Sequence, residues 1–428
     1  MKILFATEYY HPFTPGGTPW SLALLADALR RRGHGVAVVT PSYGAPATEE
    51  VDGVAVFRFP VPRALTPGPS LAPLRDLVSP LFHARMARAA TDAARRFGAH
   101  VVHAQEKHAL VGAYLAARRL GRPVFLTLRD YGLICPITTC LLSARRVPAD
   151  CGAGKLQREC APFYLDRYIA GGGLRRLRVR ASLALLYADA RLKGAVVRRV
   201  DGVVAVSRGL LDIYADAGRV PAGRSHVVHN AAPPWSAAPA VEAPDRRRRL
   251  AALGLPDGVL VLYAGKLSLG KGFSVFVEAA RALAARFPGV SFAAAGGGAP
   301  GDPESVRLLG SLAHGEMRAL YDLADVVVQP AVWPEPFSRV PLEAAAAGKP
   351  VVATRVGGMA EAVEDRRTGL LVEPSDPAAL AQGIAELLAD EPLRKKLGRQ
   401  AAEALARFAP DHIADQHLHL YRQALRAR

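Results

Sequence analysis

Several features are scarce in this sequence of 428 residues. No apolar stretch approaches the roughly 20 residues of a membrane-spanning helix, because Arg, Asp or Gly interrupts each candidate. The start, MKILFAT, lacks the long apolar region and small-residue cleavage site of a secretory signal. We therefore interpret it as a first β-strand and expect a cytoplasmic protein. Peripheral association with the inner face of the membrane stays open.

Acidic residues are too few to balance the basic ones, since 38 Asp and Glu face 55 Lys and Arg, for a formal charge of +17. Such a charge favours anionic partners, among them lipid headgroups, nucleic acid and phosphorylated substrates. Zinc-finger spacing and basic residues interleaved with aromatics are both missing, so nucleic acid is not an expected partner. An arginine-rich solvated surface explains the same composition.

Cysteine is also rare, and its four copies lie close together in the sequence, at Cys135, Cys140, Cys151 and Cys160. Disulfides are disfavoured in the cytoplasm, so a structural metal bound by four thiolates is one interpretation. The spacings of 4, 10 and 8 intervening residues match no compact CxxC pattern, however. Reduced thiols that pack a loop are the interpretation we favour.

Short Val- and Ile-rich runs alternate with longer amphipathic segments along the chain, and the alternation occurs twice. This pattern is typical of parallel sheets covered by helices on both faces. It predicts an α/β protein with two Rossmann-like domains facing across a cleft, because such sheets bind ligands beyond the carboxyl ends of their strands. The predicted divisions are a first domain over 1–235, a Pro- and Ala-rich linker over 236–249, a second domain over 250–408 and a terminal helix over 409–428 that crosses back to the first domain.

Two glutamates mark the most informative motif, PEPFSRVPLEAAAAGKPVVAT. Glu335 lies in its Pro-rich loop, and Glu343 lies on an Ala-rich helix, with seven residues between the two. An ionised carboxylate accepts hydrogen bonds from two hydroxyls, so this pair suits a sugar ring and a ribose. The alternative is that Glu335 caps the helix and Glu343 lies on the surface.

Two lysines mark the second motif, YAGKLSLGKGF, in which Lys266 follows a strand and Lys271 precedes a helix. Two ammonium groups near a helix N-terminus favour a diphosphate, because the N–H groups and the helix dipole add to their charge. The alternative is a pair of solvated surface lysines.

In these motifs the chain resembles glycosyltransferase family 4, retaining transferases of the GT-B arrangement also described as glycosyl transferases group 1. The resemblance covers nearly the whole chain and implies that the first domain serves the acceptor and the second binds the nucleotide sugar. It implies that Glu335 contacts the donor sugar, Glu343 the ribose, and Lys266 with Lys271 the diphosphate. Pro336, Phe337 and Ser338 complete the donor-binding loop. Family members usually carry Arg at the position of Lys266. The Lys ammonium group offers a point charge in place of the two parallel N–H donors of an Arg guanidinium.

Gly16 and Gly17, in HPFTPGGTPW, match a Gly-rich loop that the family places near the donor phosphates and the acceptor. Glycine lets the backbone approach a ligand closely, although Gly pairs mark ordinary turns equally well. Asn230 matches a common Asn at the domain boundary, for which a turn residue is the alternative.

The strand end LTLRDYGLICP departs from the family, because many relatives carry His where this chain has Arg129, before Asp130. Arginine cannot act as a neutral base, but it stabilises negative charge, so we predict an electrostatic role for Arg129 and take Asp130 as a further catalytic candidate. His103 matches another strand-end His of the family. A buried structural histidine is the interpretation we favour for it.

The sequence thus predicts transfer of a sugar, with retention of configuration, from a UDP- or GDP-type nucleotide sugar to a saccharide or lipid-linked acceptor. No cofactor or divalent metal is required for that step. Two alternatives stand, a non-catalytic sugar-nucleotide-binding protein, suggested by Arg129, and a nucleotide-sugar epimerase on the same fold. The Arg- and Leu-rich stretch 171–200 predicts either contact with an anionic membrane or an ordinary amphipathic helix pair beside the sheet, and we favour the helix pair.

Overall fold

The computed structural model describes residues 1–138, 140–143, 146–169, 171–235, 243–298, 301 and 303–428. The chain divides into two compact units, one formed by Met1–Ala231 with Pro410–Arg428 and the other by Ala232–Ala409. Each unit contains one mainly parallel sheet flanked by helices. This confirms the predicted pair of Rossmann-like α/β domains.

The first unit is built on a sheet with the strand order β3-β4-β2-β1-β5-β6-β7-β8. Neighbouring strands run parallel except for β3 and β4, which are antiparallel. Its elements up to residue 227 are β1 (Lys2–Ala6), α1 (Gly17–Arg31), β2 (Gly35–Pro41), β3 (Thr48–Val51), β4 (Val54–Phe59), α2 (Leu74–Leu77), α3 (Pro80–Phe97), β5 (Val101–Ala104), α4 (Lys107–Arg119), β6 (Val124–Leu128), α5 (Cys140–Ser143), α6 (Ala153–Lys155), a π-helical turn (Leu156–Cys160), α7 (Ala161–Tyr168), α8 (Gly173–Val197), β7 (Gly202–Ala205), α9 (Arg208–Asp216) and β8 (Ser225–Val227).

The second unit has a parallel sheet with the order β11-β10-β9-β12-β13-β14. Its elements are α10 (Ala243–Ala252), β9 (Val259–Ala264), α11 (Phe273–Ala284), β10 (Val290–Ala295), β11 (Arg307–Gly310), α12 (His314–Leu323), β12 (Val326–Gln329), α13 (Val340–Ala346), β13 (Val351–Thr354), α14 (Met359–Ala362), β14 (Gly369–Val372), α15 (Pro377–Ala389), α16 (Glu391–Ala404) and a 3-10 turn (Leu405–Phe408).

Both faces of the second sheet are buried, which explains the apolar runs in its strands. Along β9, Val261 and Tyr263 belong to one hydrophobic core, and Leu260 and Leu262 belong to the core on the opposite face. Successive side chains of a strand point to opposite faces, so a strand covered on both sides needs apolar residues at every position.

The C-terminal helix α17 (Pro410–Arg426) is part of the first unit. Its residues Ile413, Leu418 and Tyr421 lie in the same core as Ile3 and Phe5 of β1. Arg31 and Arg32 at the end of α1 pair with Asp411 and Asp415 on this helix, at 3.4 Å and 2.5 Å. The helix therefore covers an apolar face of the first sheet.

The predicted linker over 236–249 is partly wrong. Residues 236–242 lie outside the described residues, but 243–249 form most of helix α10. Arg246 in this helix donates a hydrogen bond to Asp325 at 2.7 Å and another to the carbonyl oxygen of Gly258 at 2.8 Å. The charge run is therefore part of the second unit's tertiary structure.

Candidate active site

The two predicted lysines lie on one loop at the carboxyl end of β9. Lys266 is exposed, and Lys271 is half-buried one residue before Gly272, which precedes α11. Gly272 has φ of 72°, and a Cβ atom there would lie 1.7 Å from the carbonyl oxygen of Pro330. Only glycine therefore lets this loop approach the end of β12 so closely.

Glu335 lies directly against Lys271. The Lys271 Nζ atom donates to both carboxylate oxygens of Glu335, at 2.8 Å and 2.7 Å, and the Trp333 Nε1 atom donates to Oε2 at 2.9 Å. The Glu335 side chain is only 8% exposed. The alternative that Glu335 caps the following helix is therefore wrong, because its carboxylate is directed to Lys271.

The backbone around Glu335 is held by a second glycine contact. The Gly358 N–H donates to the carbonyl oxygen of Glu335 at 2.8 Å. Gly357 has φ of 50°, and a Cβ atom there would lie 2.3 Å from the same oxygen. The GG pair at 357–358 thus fixes the position of the loop that carries the carboxylate.

Glu343 is buried on α13, so its predicted alternative as a surface residue is wrong. Its Oε2 atom accepts a hydrogen bond from the Tyr321 hydroxyl at 2.9 Å, and its Oε1 atom accepts one from Arg339 Nε at 3.1 Å. Burial, followed by the charge of Glu343, raises the pKa of the Tyr321 hydroxyl well above its ordinary value. This carboxylate is therefore preoriented, with hydrogen-bonding capacity left for a hydroxyl.

The three residues after Glu335 are buried and have contacts within the second unit. The ring of Phe337 packs against Phe408, with 5.6 Å between centroids, and Ser338 Oγ accepts from the Val340 N–H at 3.3 Å. Pro336 is buried beside them. Their side chains support the loop, and a contribution to donor binding stays a prediction.

In the first unit, Arg129 lies between two amide side chains. Its guanidinium donates to Asn230 Oδ1 at 2.6 Å and to Gln105 Oε1 at 2.7 Å. Two predicted residues, Arg129 and Asn230, are thus in direct contact. The sequence analysis missed Gln105. This residue directly follows the strand that contains His103, and that position could have identified it.

Asp130 is held by Lys107, another residue that the sequence analysis missed. Lys107 Nζ contacts Asp130 Oδ2, and the Gly132 N–H donates to Oδ1 at 2.7 Å. Burial alone would raise the pKa of the Asp130 carboxyl, but Lys107 and the Gly132 N–H hold the pKa below its ordinary value. Asp130 is therefore a fixed negative charge at the carboxyl end of β6.

Glu8 is a buried carboxyl group close to the end of β1 that the sequence analysis also missed. Its Oε1 atom accepts a hydrogen bond from the His108 N–H at 3.2 Å. Burial, together with the charge of Glu106, raises the pKa of Glu8 well above its ordinary value. The first sheet thus carries ionisable side chains beyond the ends of β1, β5 and β6.

His103 is a buried structural histidine, which is the interpretation that we favoured from the sequence. Its side chain is fully buried, and its ring nitrogens contact the Tyr421 hydroxyl at 2.6 Å and Thr127 Oγ1 at 2.8 Å. Burial is the main cause that holds the pKa of His103 well below its ordinary value. Its placement among the site candidates is corrected, because both nitrogens are already used inside the protein.

Gly16 and Gly17 lie at the start of α1 and are exposed. Gly16 has φ of 153°, and no atom lies within 4 Å of the position that a Cβ would take. The φ angle explains the glycine at position 16, and the open space beside it leaves close approach of a ligand as a prediction.

The four cysteines line one small cavity together with Tyr187. Burial raises the pKa of the Cys140 thiol to about 12, with smaller contributions from the other three cysteines. Within the described part of the chain, however, no three His, Cys, Asp or Glu side chains form a group that could hold a metal ion. The four cysteines are thus reduced thiols that line one cavity.

Comparisons with known sequences match both units to one enzyme family. Residues 16–231 match the Glycosyl transferase 4-like domain, and residues 245–404 match Glycosyl transferases group 1. A D-inositol 3-phosphate glycosyltransferase of Corynebacterium urealyticum is 35% identical over 190 residues, which cover 40% of this chain and 45% of that protein. The corresponding protein of Xylanimonas cellulosilytica is 40% identical over 193 residues, which cover 41% and 45%.

The chain thus spans less than half the length of those two relatives. An uncharacterised glycosyltransferase of Methanocaldococcus jannaschii is 25% identical over 447 residues, which cover 99% of both chains. This match extends through both units.

Two solved structures share the architecture over the full chain. Sucrose-phosphate synthase from Thermosynechococcus elongatus has a TM-score of 0.71 at 22% identity, with 100% of both chains covered. HepE of Anabaena, solved in complex with UDP-glucose, has a TM-score of 0.66 at 22% identity, again with 100% of both chains covered. At these identities the similarity shows the fold. With both units matched and the fold shared, this chain belongs to the glycosyl transferases group 1, a family of glycosyltransferases with the GT-B fold.

Proposed function

We propose that the chain transfers a sugar from a nucleotide diphosphate donor to a saccharide or lipid-linked acceptor, with retention of configuration. The observation that carries the proposal is the contact between Lys271 and Glu335 at the carboxyl end of the second sheet, where α/β sheets bind ligands. A UDP-type donor is supported by HepE, which was solved with UDP-glucose and UDP. A GDP-type donor is the alternative.

The lysines supply the electrostatic part of this chemistry. Negative charge accumulates on the diphosphate as its bond to the sugar breaks, and fixed cations that meet this charge lower the barrier. Lys266 is exposed on the loop, and Lys271 is fixed against Glu335. In our proposal both ammonium groups contact the leaving diphosphate, without a metal ion or other cofactor.

The carboxylates supply orientation. Glu335 accepts hydrogen bonds from Lys271 and Trp333. The remaining lone pairs of its carboxylate accept hydrogen bonds from the hydroxyl groups of the donor sugar. Glu343 accepts the ribose hydroxyls while Tyr321 and Arg339 hold it in place. In the first unit, Arg129 adds positive charge and Asp130 is the second catalytic candidate, and Gly16 and Gly17 are donor-binding residues in this proposal.

Thermal stabilisation by UDP-, GDP- and ADP-sugars tests donor binding. A ligand at about 100 times its Kd stabilises the folded state by about 2.7 kcal/mol, so one nucleotide class should raise Tm selectively. We expect Glu343→Gln to weaken this shift, and Glu373→Gln, a change at an exposed residue of the second unit, to preserve it. The absence of any selective shift with the wild type would reject the proposal.

Turnover separates the remaining hypotheses. A transferase releases the nucleoside diphosphate when an acceptor is supplied. Donor binding without this release would identify a non-catalytic binding protein, and conversion of the donor into its epimer without an acceptor would identify an epimerase.

A further inference from the structure

Helix α8 has apolar residues on two opposite faces. Its inner face is buried in the first unit through Leu183, Tyr187, Ala190 and Gly194. Four leucines lie on the other side and are strongly exposed, with Leu174 at 65%, Leu177 at 64%, Leu185 at 72% and Leu192 at 72%. We name these four residues the outer leucine stripe.

The spacing of the stripe shows that it is one continuous surface. Leu174, Leu185 and Leu192 are separated by 11 and 7 residues, close to whole numbers of helical turns. Ala181 and Ala188 are exposed between them. Residues half a helical turn away from the stripe lie on the buried face of α8. The stripe therefore points away from the core.

The helix pair that we favoured for this stretch from its sequence is wrong, because one helix forms in its place. Residues 173–197 form one helix of 25 residues, and its inner face alone supplies the packing. Keeping four leucine side chains in contact with water costs free energy. Because the four are aligned on one face, we infer that a partner covers them.

The charges beside the stripe indicate the chemistry of that partner. Residues 173–188 contain four arginines and no acidic residue. Arg175 and Arg178 are exposed beside Leu174 and Leu177, and Arg191 is exposed beside Leu192. Leucines aligned on one face with arginines at its borders are the pattern of a helix that lies at an anionic lipid interface.

We propose that the outer leucine stripe of α8 binds the surface of an anionic lipid bilayer. The leucines enter the boundary between headgroups and acyl chains, and Arg175, Arg178 and Arg191 contact lipid phosphates. Among the described residues no helix is both long and apolar enough to span a bilayer. The proposed contact is with the surface of the bilayer, and it does not depend on the proposed sugar transfer.

Co-sedimentation of the full chain with vesicles tests the proposal. We expect binding to vesicles that contain phosphatidylglycerol, weak binding to phosphatidylcholine alone, and loss of binding at high salt. Replacing all four leucines of the stripe by Gln should abolish binding. Each single Arg→Gln change at 175, 178 or 191 should lower the partition coefficient about five-fold.

A matched control replaces two exposed leucines elsewhere in the first unit, Leu81 and Leu115, which are 57% and 38% exposed. The L81Q/L115Q variant should bind vesicles as the wild type does. Because all these side chains are exposed, circular dichroism should show unchanged folding in every variant. Equal binding by the four-leucine variant and the wild type would overturn the proposal. The proposal would also be overturned if light scattering showed a dimer of the wild type and a monomer of the four-leucine variant. The stripe would then be a contact between copies of the chain.

Discussion

The Nζ atom of Lys271 lies 2.8 Å and 2.7 Å from the two carboxylate oxygens of Glu335, a residue 64 positions later in the chain. The side chains are only 25% and 8% exposed, so water screens the pair weakly. A diphosphate and this carboxylate would compete for the same ammonium group. Donor binding by the proposed site therefore requires Lys271 to share its charge between Glu335 and the ligand.

Replacement of Glu335 by Gln should separate binding of the nucleotide from transfer. The amide still accepts from Trp333, but it no longer neutralises Lys271, so UDP should bind with equal or higher affinity. Transfer should fall about 100-fold, because the donor sugar loses a charged acceptor that orients it. Calorimetry with UDP and initial rates of UDP release measure the two effects. A wild-type rate in this variant would contradict the assigned role.

The two lysines should differ in their effect on stability. Lys271→Met leaves the buried Glu335 without its cation, so we expect the free energy of unfolding to fall by about 3 kcal/mol. Lys266→Met removes an exposed charge and should change stability by less than about 0.5 kcal/mol. Both variants should bind UDP more weakly than the wild type. Urea unfolding and UDP titration would check this, and equal stability of the two variants would show that the Lys271–Glu335 pair contributes little.

The fold was predictable because parallel strands covered on both faces leave a strong signal. Every position of a strand such as β9 is apolar, whereas apolar residues in the helices between strands recur with the helical period of about 3.6 residues. The positions of the proposed donor-site residues were predictable for a similar reason, since Lys266, Lys271, Glu335 and Glu343 lie in loops and helix starts that follow such strands.

The pairing of these residues was not predictable. Lys271 meets Glu335 because β9 and β12 are neighbours in the sheet, and neither motif contains that information. The burial of His103 was expected, but its partner Tyr421, on a helix 318 residues later, was not. The arginine run at 246–249 lies in α10, where Arg246 binds Asp325, and local composition gave no sign of this contact.

Tyr321 provides a test of how Glu343 is positioned. Tyr321→Phe removes the hydroxyl that donates to Glu343 at 2.9 Å and should lower stability by about 2 kcal/mol. The donor KM should rise while kcat stays close to the wild-type value, because the ribose contact is distant from the bond that breaks. Tyr421→Phe, which removes a buried hydroxyl from the first unit, is the control and should lower stability without raising the donor KM. An equal rise in KM in both variants would show a general effect of destabilisation.

His417 should make the first unit sensitive to acid. Burial is the main cause that lowers the pKa of His417 from 6.5 to about 4. Between these values the unfolded chain binds a proton at this residue and the folded chain does not, so stability is lost as pH falls from 6.5 towards 4.

The variant His417→Leu removes this titration from a buried position of α17. Between pH 7 and pH 5 the wild type should lose about 2 kcal/mol more stability than the variant does, since one pKa unit corresponds to about 1.4 kcal/mol. His412→Leu, at an exposed position of the same helix, should leave the wild-type pH dependence unchanged. Urea unfolding at the two pH values measures the difference. If His417→Leu lost as much stability on acidification as the wild type, the acid sensitivity would have to come from other buried groups. One such group is His103, whose ring centroid lies 5.8 Å from that of His417.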